Sequence, residues 1–263
     1  MRTDPAPTAL FLFAHQDDEY GVFDRIARCR ARGLRVACAY LTDGASAKVT
    51  AATRNAESLD VLGRLGVQPE DVAFAGGLLA IPDAGLPERM APAAAWIAGW
   101  FASFGAVDSV HVPAWEGGHH DHDALHAIAV QLAHERQWLP RVRQFALYHG
   151  YRCIHPFFKT LAPLAANGAP ETVRMDWADR LRYLRHCLRY PSQRSTWIGL
   201  FPFTLLHYVL RGVQQLQPVS LARLEQAPHP GSLYYERRHF YTWDQMRARL
   251  ASWRSHRSTG TAP

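Results

Sequence analysis

Two short stretches concentrate imidazoles and carboxylates. The first, His15-Gln16-Asp17-Asp18-Glu19, follows the apolar run Ala9–Ala14. The second, His119-His120-Asp121-His122-Asp123, with His126 three residues further on, comes soon after Val107–Val112. Imidazole and carboxylate without thiolate suit zinc or a similar divalent ion, and a catalytic site commonly keeps three protein ligands and one open position. His15, Asp18 and one histidine of the second stretch make up such a set. Asp17 is adjacent to a ligand yet points elsewhere, which suits it to take a proton from a water whose pKa the metal lowers to about 7. A second histidine would donate to a developing oxyanion. Taken singly, a surface His or Asp is usually just solvated; His120, Asp123 and His134 are read that way, with Asp121 or Asp123 as a cap on the following helix. Taken together, so many acids at two strand ends are costly to desolvate without a compensating cation.

The surrounding pattern says how two stretches about 100 residues apart come to one place. Leu10–Ala14 reads as a buried strand, Tyr20–Arg32 as a helix stopped by Gly33, Leu34–Leu41 as a second strand and Thr53–Leu65 as a helix ending at Gly66. Val72–Ala75, Val107–Val112 and Val142–Leu147 read as further strands, with helices over Ala91–Phe104 and Asp123–Arg136 between them. This alternation predicts an α/β fold, a Rossmann-like, mostly parallel sheet with helices on both faces. Ligands of such sheets bind at the carboxyl ends of strands where the strand order reverses, and in the common order strands one and four are neighbours there. Each polar stretch follows one of those two strands.

The pattern changes after residue 150. Residues 1–150 are expected to form the catalytic core and 151–263 a mostly helical cap packed on it, in a single domain overall. Within the cap, Ala165–Pro170 reads as a linker-like bend, Asp176–Arg189 as an Arg-rich helix, Thr196–Leu210 as a strongly apolar segment and Trp243–Trp253 as a closing amphipathic helix. Tyr234–Tyr241 reads as a strand or loop beside a substrate channel.

The two polar stretches resemble the signatures of the LmbE-like / PIG-L family of zinc-dependent N-acetylglucosaminyl deacetylases, A-H-P-D-D-E after an apolar strand and a later G-H-P-D-H. Here they read Ala14-His15-Gln16-Asp17-Asp18-Glu19 and Gly118-His119-His120-Asp121-His122. Thr42-Asp43-Gly44, the helix from Arg54 to Val67, Pro82–Leu86 around Asp83, and Tyr190–Gln193 resemble further family elements, so the likeness spans about 190 residues. It implies that His15, Asp18 and His122 bind zinc, or another divalent transition metal such as iron or cobalt. It further implies that Asp17 is the general base, that His119 stabilises the oxyanion and that Asp121 orients a neighbouring histidine. Arg54, Asp83 and Glu19 would contact substrate, with a Glu19–Arg54 ion pair as the structural alternative. Gln16 and His120 stand where the family has prolines. Proline fixes φ, so its loss is expected to loosen the ligand loop. Gly117 stands where some members carry a tyrosine, so an oxyanion donor is expected from elsewhere or is missing.

The function implied is hydrolytic N-deacetylation of an acetamido sugar, free or linked to a nucleotide, lipid or metabolite. A metal amidase acting on a thiol-sugar conjugate or another acyl amide is the alternative, as is a non-catalytic sugar binder; Asp17 argues against the last, since a binder needs no base. The net charge of +6 raises nucleic acid as a partner. It is set aside, because the first half has no Lys/Arg run interleaved with aromatics. Four scattered cysteines without a C-x-x-C pair read as reduced thiols in a cytoplasmic protein. The opening MRTDPAPT is polar and no stretch of 18 apolar residues exists, so neither a signal peptide nor a spanning helix is expected. Residues 196–211, flanked by arginines, are nonetheless a candidate for peripheral contact with the inner face of a membrane, with a cap core or an oligomer interface as the other reading.

Overall fold

Ala9 to Phe13 have no exposed surface on either side, so the strand they form can only be an interior one. In the computed structural model, which describes residues 6–258, it is β1 (Thr8–Phe13). The chain continues through α1 (Phe23–Ala31), β2 (Arg35–Tyr40), α2 (Ala51–Arg64), β3 (Val72–Phe74), α3 (Ala75–Leu78), α4 (Met90–Ala102), β4 (Val107–Pro113), α5 (His120–Glu135) and β5 (Val142–Phe145). After a ribbon of β6 (Tyr148–His149) and β7 (Lys159–Thr160) come β8 (Glu171–Arg174), α6 (Trp177–Cys187), α7 (Arg194–Leu210), β9 (Val213–Pro218), α8 (Tyr234–Arg237) and α9 (Trp243–Ser258). The first five residues of the polar opening lie outside the described residues.

The main sheet runs in the order β3-β2-β1-β4-β5-β9-β8. β1 pairs in parallel with β2 on one side and β4 on the other, so the strand order reverses between β1 and β4 as the alternation predicts. Side chains of a strand alternate between faces. Leu10 and Leu12 pack with α4, α5 and α9, whereas Phe11 and Phe13 pack with α1, α2 and α6. The two loops that leave the carboxyl ends of β1 and β4 therefore meet above one crevice.

The second half contributes helices, as expected, and also two strands that the sequence pattern does not announce. β9 runs antiparallel to β5, and β8 antiparallel to β9. β9 reads Val-Gln-Gln-Leu-Gln-Pro, with no apolar alternation, because its glutamines are satisfied locally: Gln217 donates to the carbonyls of Leu164 (2.8 Å) and Gly168 (2.5 Å). The segment around Ala165–Pro170, expected as a linker-like bend, is pinned, with buried Asn167 donating to the Trp115 carbonyl at 2.9 Å. Tyr234–Tyr241, expected as a strand or loop, opens as the short helix α8, whose start is fixed by the Leu233 N–H donating to Glu236 at 2.7 Å. All four cysteines are free thiols.

Candidate active site

Immediately after β1 the chain folds back on a single carboxylate. Asp18 Oδ2 accepts the backbone N–H groups of Ala14 (2.9 Å) and His15 (2.8 Å). Its other oxygen, Oδ1, faces His122 Nε2 at 3.0 Å. The His15 ring is held from behind, where Nε2 donates to Asp121 Oδ2 at 3.0 Å, with Asp83 Oδ1 at 3.2 Å. With the proton on Nε2, the Nδ1 lone pair points at His122 Nε2, 3.1 Å away. Asp121 is itself clamped by the N–H groups of Ala84 (2.8 Å) and Leu86 (3.0 Å). Asp121 thus bridges the His15 ring and the Ala84–Leu86 turn.

Three donor atoms, His15 Nδ1, Asp18 Oδ1 and His122 Nε2, thus converge and form a candidate metal site. Zinc bonds of about 2.0–2.1 Å in tetrahedral array put ligand atoms roughly 3.3 Å apart, close to the 3.0 and 3.1 Å seen between them. The electrostatics agree. Burial disfavours a charged imidazole at His15, yet Asp83, Asp121 and Asp18 override it and raise its pKa well above the usual value. Burial likewise opposes the charge on Asp18, but His122 and His15 hold its carboxyl well below the ordinary range. A field that demands positive charge at that ring is one a cation satisfies, so these residues fit a divalent ion. Among the described residues, His122 Nδ1 is buried without a partner.

Asp17 stands beside this set with a φ of 141°, a strained backbone for a non-glycine residue. Glu19 fixes it: Glu19 Oε2 accepts the Asp17 N–H at 2.8 Å, and Oε1 accepts the Tyr40 hydroxyl. Glu19 has no exposed surface and does not line the cavity, so it supports the loop instead of touching substrate. Nor does it pair with Arg54. The Arg54 guanidinium instead donates to the carbonyls of Gly44 (2.9 Å) and Gln16 (2.8 Å), to Asp17 Oδ1 (3.3 Å) and to Asp83 Oδ2 (3.3 Å). Arg54 also borders the cavity, but most of its donors are spent bracing Asp17 and the Asp83 loop. Burial pushes the Asp17 carboxyl up to about 7, against the pull of Arg54. Burial opposes the charge on Asp83 too, but His15, His119 and Arg54 hold its carboxyl below the usual range.

The expectation that Gln16 loosens the loop is corrected by its contacts. Its buried amide donates to Asn55 Oδ1 (2.8 Å) and to the Asp43 carbonyl (3.2 Å), tying the ligand loop to α2 and the turn after β2. Hydrogen bonds replace the stiffness of a ring. That turn needs Gly44, whose φ is +63° and whose missing Cβ leaves room for Gln16 and Arg54. His120 and Asp123 are buried as well, not solvated. His120 Nε2 meets the Ala84 carbonyl at 3.1 Å and its ring stacks on Tyr241. Asp123 Oδ1 accepts the N–H groups of Glu116 and Gly117, both at 3.2 Å. Neither Asp121 nor Asp123 caps α5, because the cap is His119, whose Nδ1 accepts the Asp121 N–H at 3.2 Å. That bond leaves the His119 proton on Nε2. Burial, followed by the His15 charge, holds the His119 pKa well below its ordinary value, so the ring is a neutral donor.

Several site residues carry no sequence signal. Glu116, with no exposed surface, accepts the N–H groups of Leu147 (2.7 Å) and Tyr148 (2.9 Å) and so anchors the ribbon over the site. Gly118 passes so near this ribbon that a Cβ would stand 1.9 Å from the Tyr148 carbonyl oxygen. Gly118→Ala is expected to cost about 1–3 kcal/mol through overpacking, read as a lower urea midpoint at unchanged slope. Above the candidate metal site opens a cavity of about 460 Å³. His15, Asp17, Asp83 and His119 form its floor, and Tyr148, Phe158, Leu200, Tyr234 and Phe240 contribute to its walls. Asp121→Asn keeps the shape but weakens the grip on His15. It is expected to lower metal affinity about 10–100-fold, measured by competition with a chromogenic chelator.

The family model described as PIG-L: GlcNAc-PI de-N-acetylase matches residues 10–133. Residues 10–133 are a PIG-L family domain. The PIG-L match takes in both ligand loops and α5 and ends before the ribbon and the helices that wall the cavity. Solved structures resemble the chain over more of its length. One is a triple mutant of a deacetylase involved in the teicoplanin biosynthetic pathway, 20% identical, covering 81% of this chain and 98% of its own, with a TM-score of 0.60. Another is the zinc-inhibited form of teicoplanin deacetylase, 17% identical over 81% and 98%, with a TM-score of 0.57. A third is the N,N'-diacetylchitobiose deacetylase of Pyrococcus horikoshii with its inhibitor, 15% identical over 86% and 88%, with a TM-score of 0.55. At these identities the likeness establishes the shared α/β fold. No curated protein matches the chain.

Proposed function

We propose that the protein is a metal-dependent hydrolase that removes the N-acetyl group from an N-acetylglucosamine-type amino sugar, free or carried on a nucleotide, lipid or metabolite. One observation carries this reading: a His₂Asp donor set opens onto a cavity that also holds a carboxylate outside the set, Asp17, and a neutral imidazole donor, His119. The PIG-L family domain and the similar solved deacetylases support the same reaction.

A divalent ion held by His15, Asp18 and His122 supplies Lewis-acid polarisation and a lowered water pKa. Zinc is the first metal to test, with iron and cobalt next, since imidazole and carboxylate serve all three. Asp17 accepts the proton of the attacking water and later delivers it to the departing amine. Arg54 holds that carboxylate through Oδ1, and Glu19 holds the backbone N–H of the same residue. His119 Nε2–H donates to the amide oxygen as it gains charge. Asp83, whose side chain is 37% exposed at the cavity floor, accepts hydrogen bonds from sugar hydroxyls.

The test is amine release from N-acetylated sugars, nucleotide sugars and glycoconjugates by zinc-, iron- and cobalt-loaded protein. Release from at least one N-acetyl amino sugar, lost on chelation and restored by metal, is expected. Fully metallated protein that frees no amine from any of them overturns the reading.

A further inference from the structure

Among the described residues, every large apolar side chain left exposed, except Leu78, lies after residue 150. They are not scattered there. Ile198 (71% exposed), Leu205, Leu206 (55%), Val209 and Leu210 (72%) all lie on α7. Ile198, Pro202, Leu205, Leu206 and Val209 fall at intervals of four, three, one and three, which is one stripe of a helix. The opposite side of α7 is spent, because Trp197, Leu200, Thr204, His207 and Tyr208 are buried. Helix α6 packs against α7 and continues the pattern with Trp177, Leu181 and Leu188 exposed at helical spacing. An apolar face of that extent is not what a chain surrounded only by water keeps.

Charge identifies the occupant. Helix α7 carries no acidic residue. Arg185, Arg194, Arg211 and Arg238 are exposed and make no ion pair among the described residues, whereas Arg182 and Arg189 are neutralised by Asp179 and Asp60. An apolar stripe rimmed by free guanidinium groups complements an anionic lipid surface, with side chains in the acyl boundary and arginines at the phosphates. A two-fold contact between copies through this stripe would instead bring like charges together. No helix among the described residues is long and apolar enough to cross a membrane, so the contact is along the surface. The same helix borders the cavity through Thr196, Gly199 and Leu200, and Phe240 and Arg238 stand at its wall, so the patch adjoins the mouth of the site.

We infer that α7, with α6 beside it, docks the protein on an anionic bilayer surface with the cavity mouth next to the lipid. This stands independently of which amide the protein cleaves. The test is co-sedimentation of the full chain with vesicles of phosphatidylcholine alone and of phosphatidylcholine mixed with phosphatidylglycerol, at low and high salt. Binding to the mixed vesicles only, falling with salt, is expected. The double substitution Leu206→Asp, Val209→Asp places charge on exposed positions and is expected to weaken binding at least about tenfold at unchanged circular dichroism. The triple substitution Arg185→Gln, Arg194→Gln, Arg211→Gln is expected to weaken it and flatten its salt dependence. No binding to anionic vesicles at low salt overturns the inference, as does binding indifferent to the double substitution, which would be mere attraction of a +6 protein. A solution dimer that the double substitution splits, without vesicle binding, also overturns it and assigns the stripe to self-association.

Discussion

Asp17→Asn is expected to lower turnover of an N-acetyl substrate on the order of 10²–10⁴-fold, the usual contribution of a positioned general base. The change is nearly isosteric and keeps an oxygen for Arg54, which now donates to Asp17 at 3.3 Å. None of the three metal-facing atoms belongs to this residue, so metal content by mass spectrometry should match the unaltered protein. The loss should fall on kcat, with KM little changed, since the amide form still fills the same volume. A variant that hydrolyses at full rate would place the base elsewhere. Strain adds a second reading of the same position. Asparagine has the shape of the aspartate that already adopts this backbone, so the variant should fold normally, with an unchanged melting curve.

Removal of a ligand acts through a different quantity. His122→Ala deletes the Nε2 atom that lies 3.0 Å from Asp18 Oδ1 and 3.1 Å from His15 Nδ1. Metal affinity is expected to fall by more than the roughly 10–100-fold expected for the supporting residue Asp121, and activity with it. Treatment with dipicolinate should silence the unaltered protein, and added zinc or cobalt should revive it but not the variant. Stoichiometric metal retained by His122→Ala would sink the three-atom assignment. The two substitutions therefore separate catalysis from binding, one leaving the ion in place and the other removing it.

How much of this was legible beforehand depends on how local each signal is. The sheet core was legible because runs such as Leu10–Phe13 and Val36–Tyr40 are buried on both faces, and such strands read as unbroken apolar segments. The pairing of the two polar stretches followed from strand order alone, and the 3.1 Å approach of His15 to His122 agrees with it. Roles that depend on a partner distant in sequence were not legible. Gln16 reads as a lost proline until Asn55 and the Asp43 carbonyl come into view, 39 and 27 residues on. Glu19 reads as one more acid of a cluster until Tyr40 and the Asp17 amide claim its oxygens. Strand β9 was hidden because glutamines with private acceptors mimic a solvated loop. The cavity walls were hidden because Phe158, Tyr234 and Phe240 come from separate short segments and share no period.

The crevice draws its two sides from different ends of the polypeptide. Every atom assigned to holding an ion or moving a proton comes from residues 15–122, whereas Phe158, Leu200, Tyr234, Arg238 and Phe240 arrive from beyond residue 150. On the proposed function, the groups for cleavage and the sugar contact of Asp83 thus lie on the earlier stretch, and several of the walls that would meet the rest of the substrate lie on the later one. Substitutions at Phe158, Leu200 or Phe240 would then reshape the mouth of the cavity without touching any of the donor atoms.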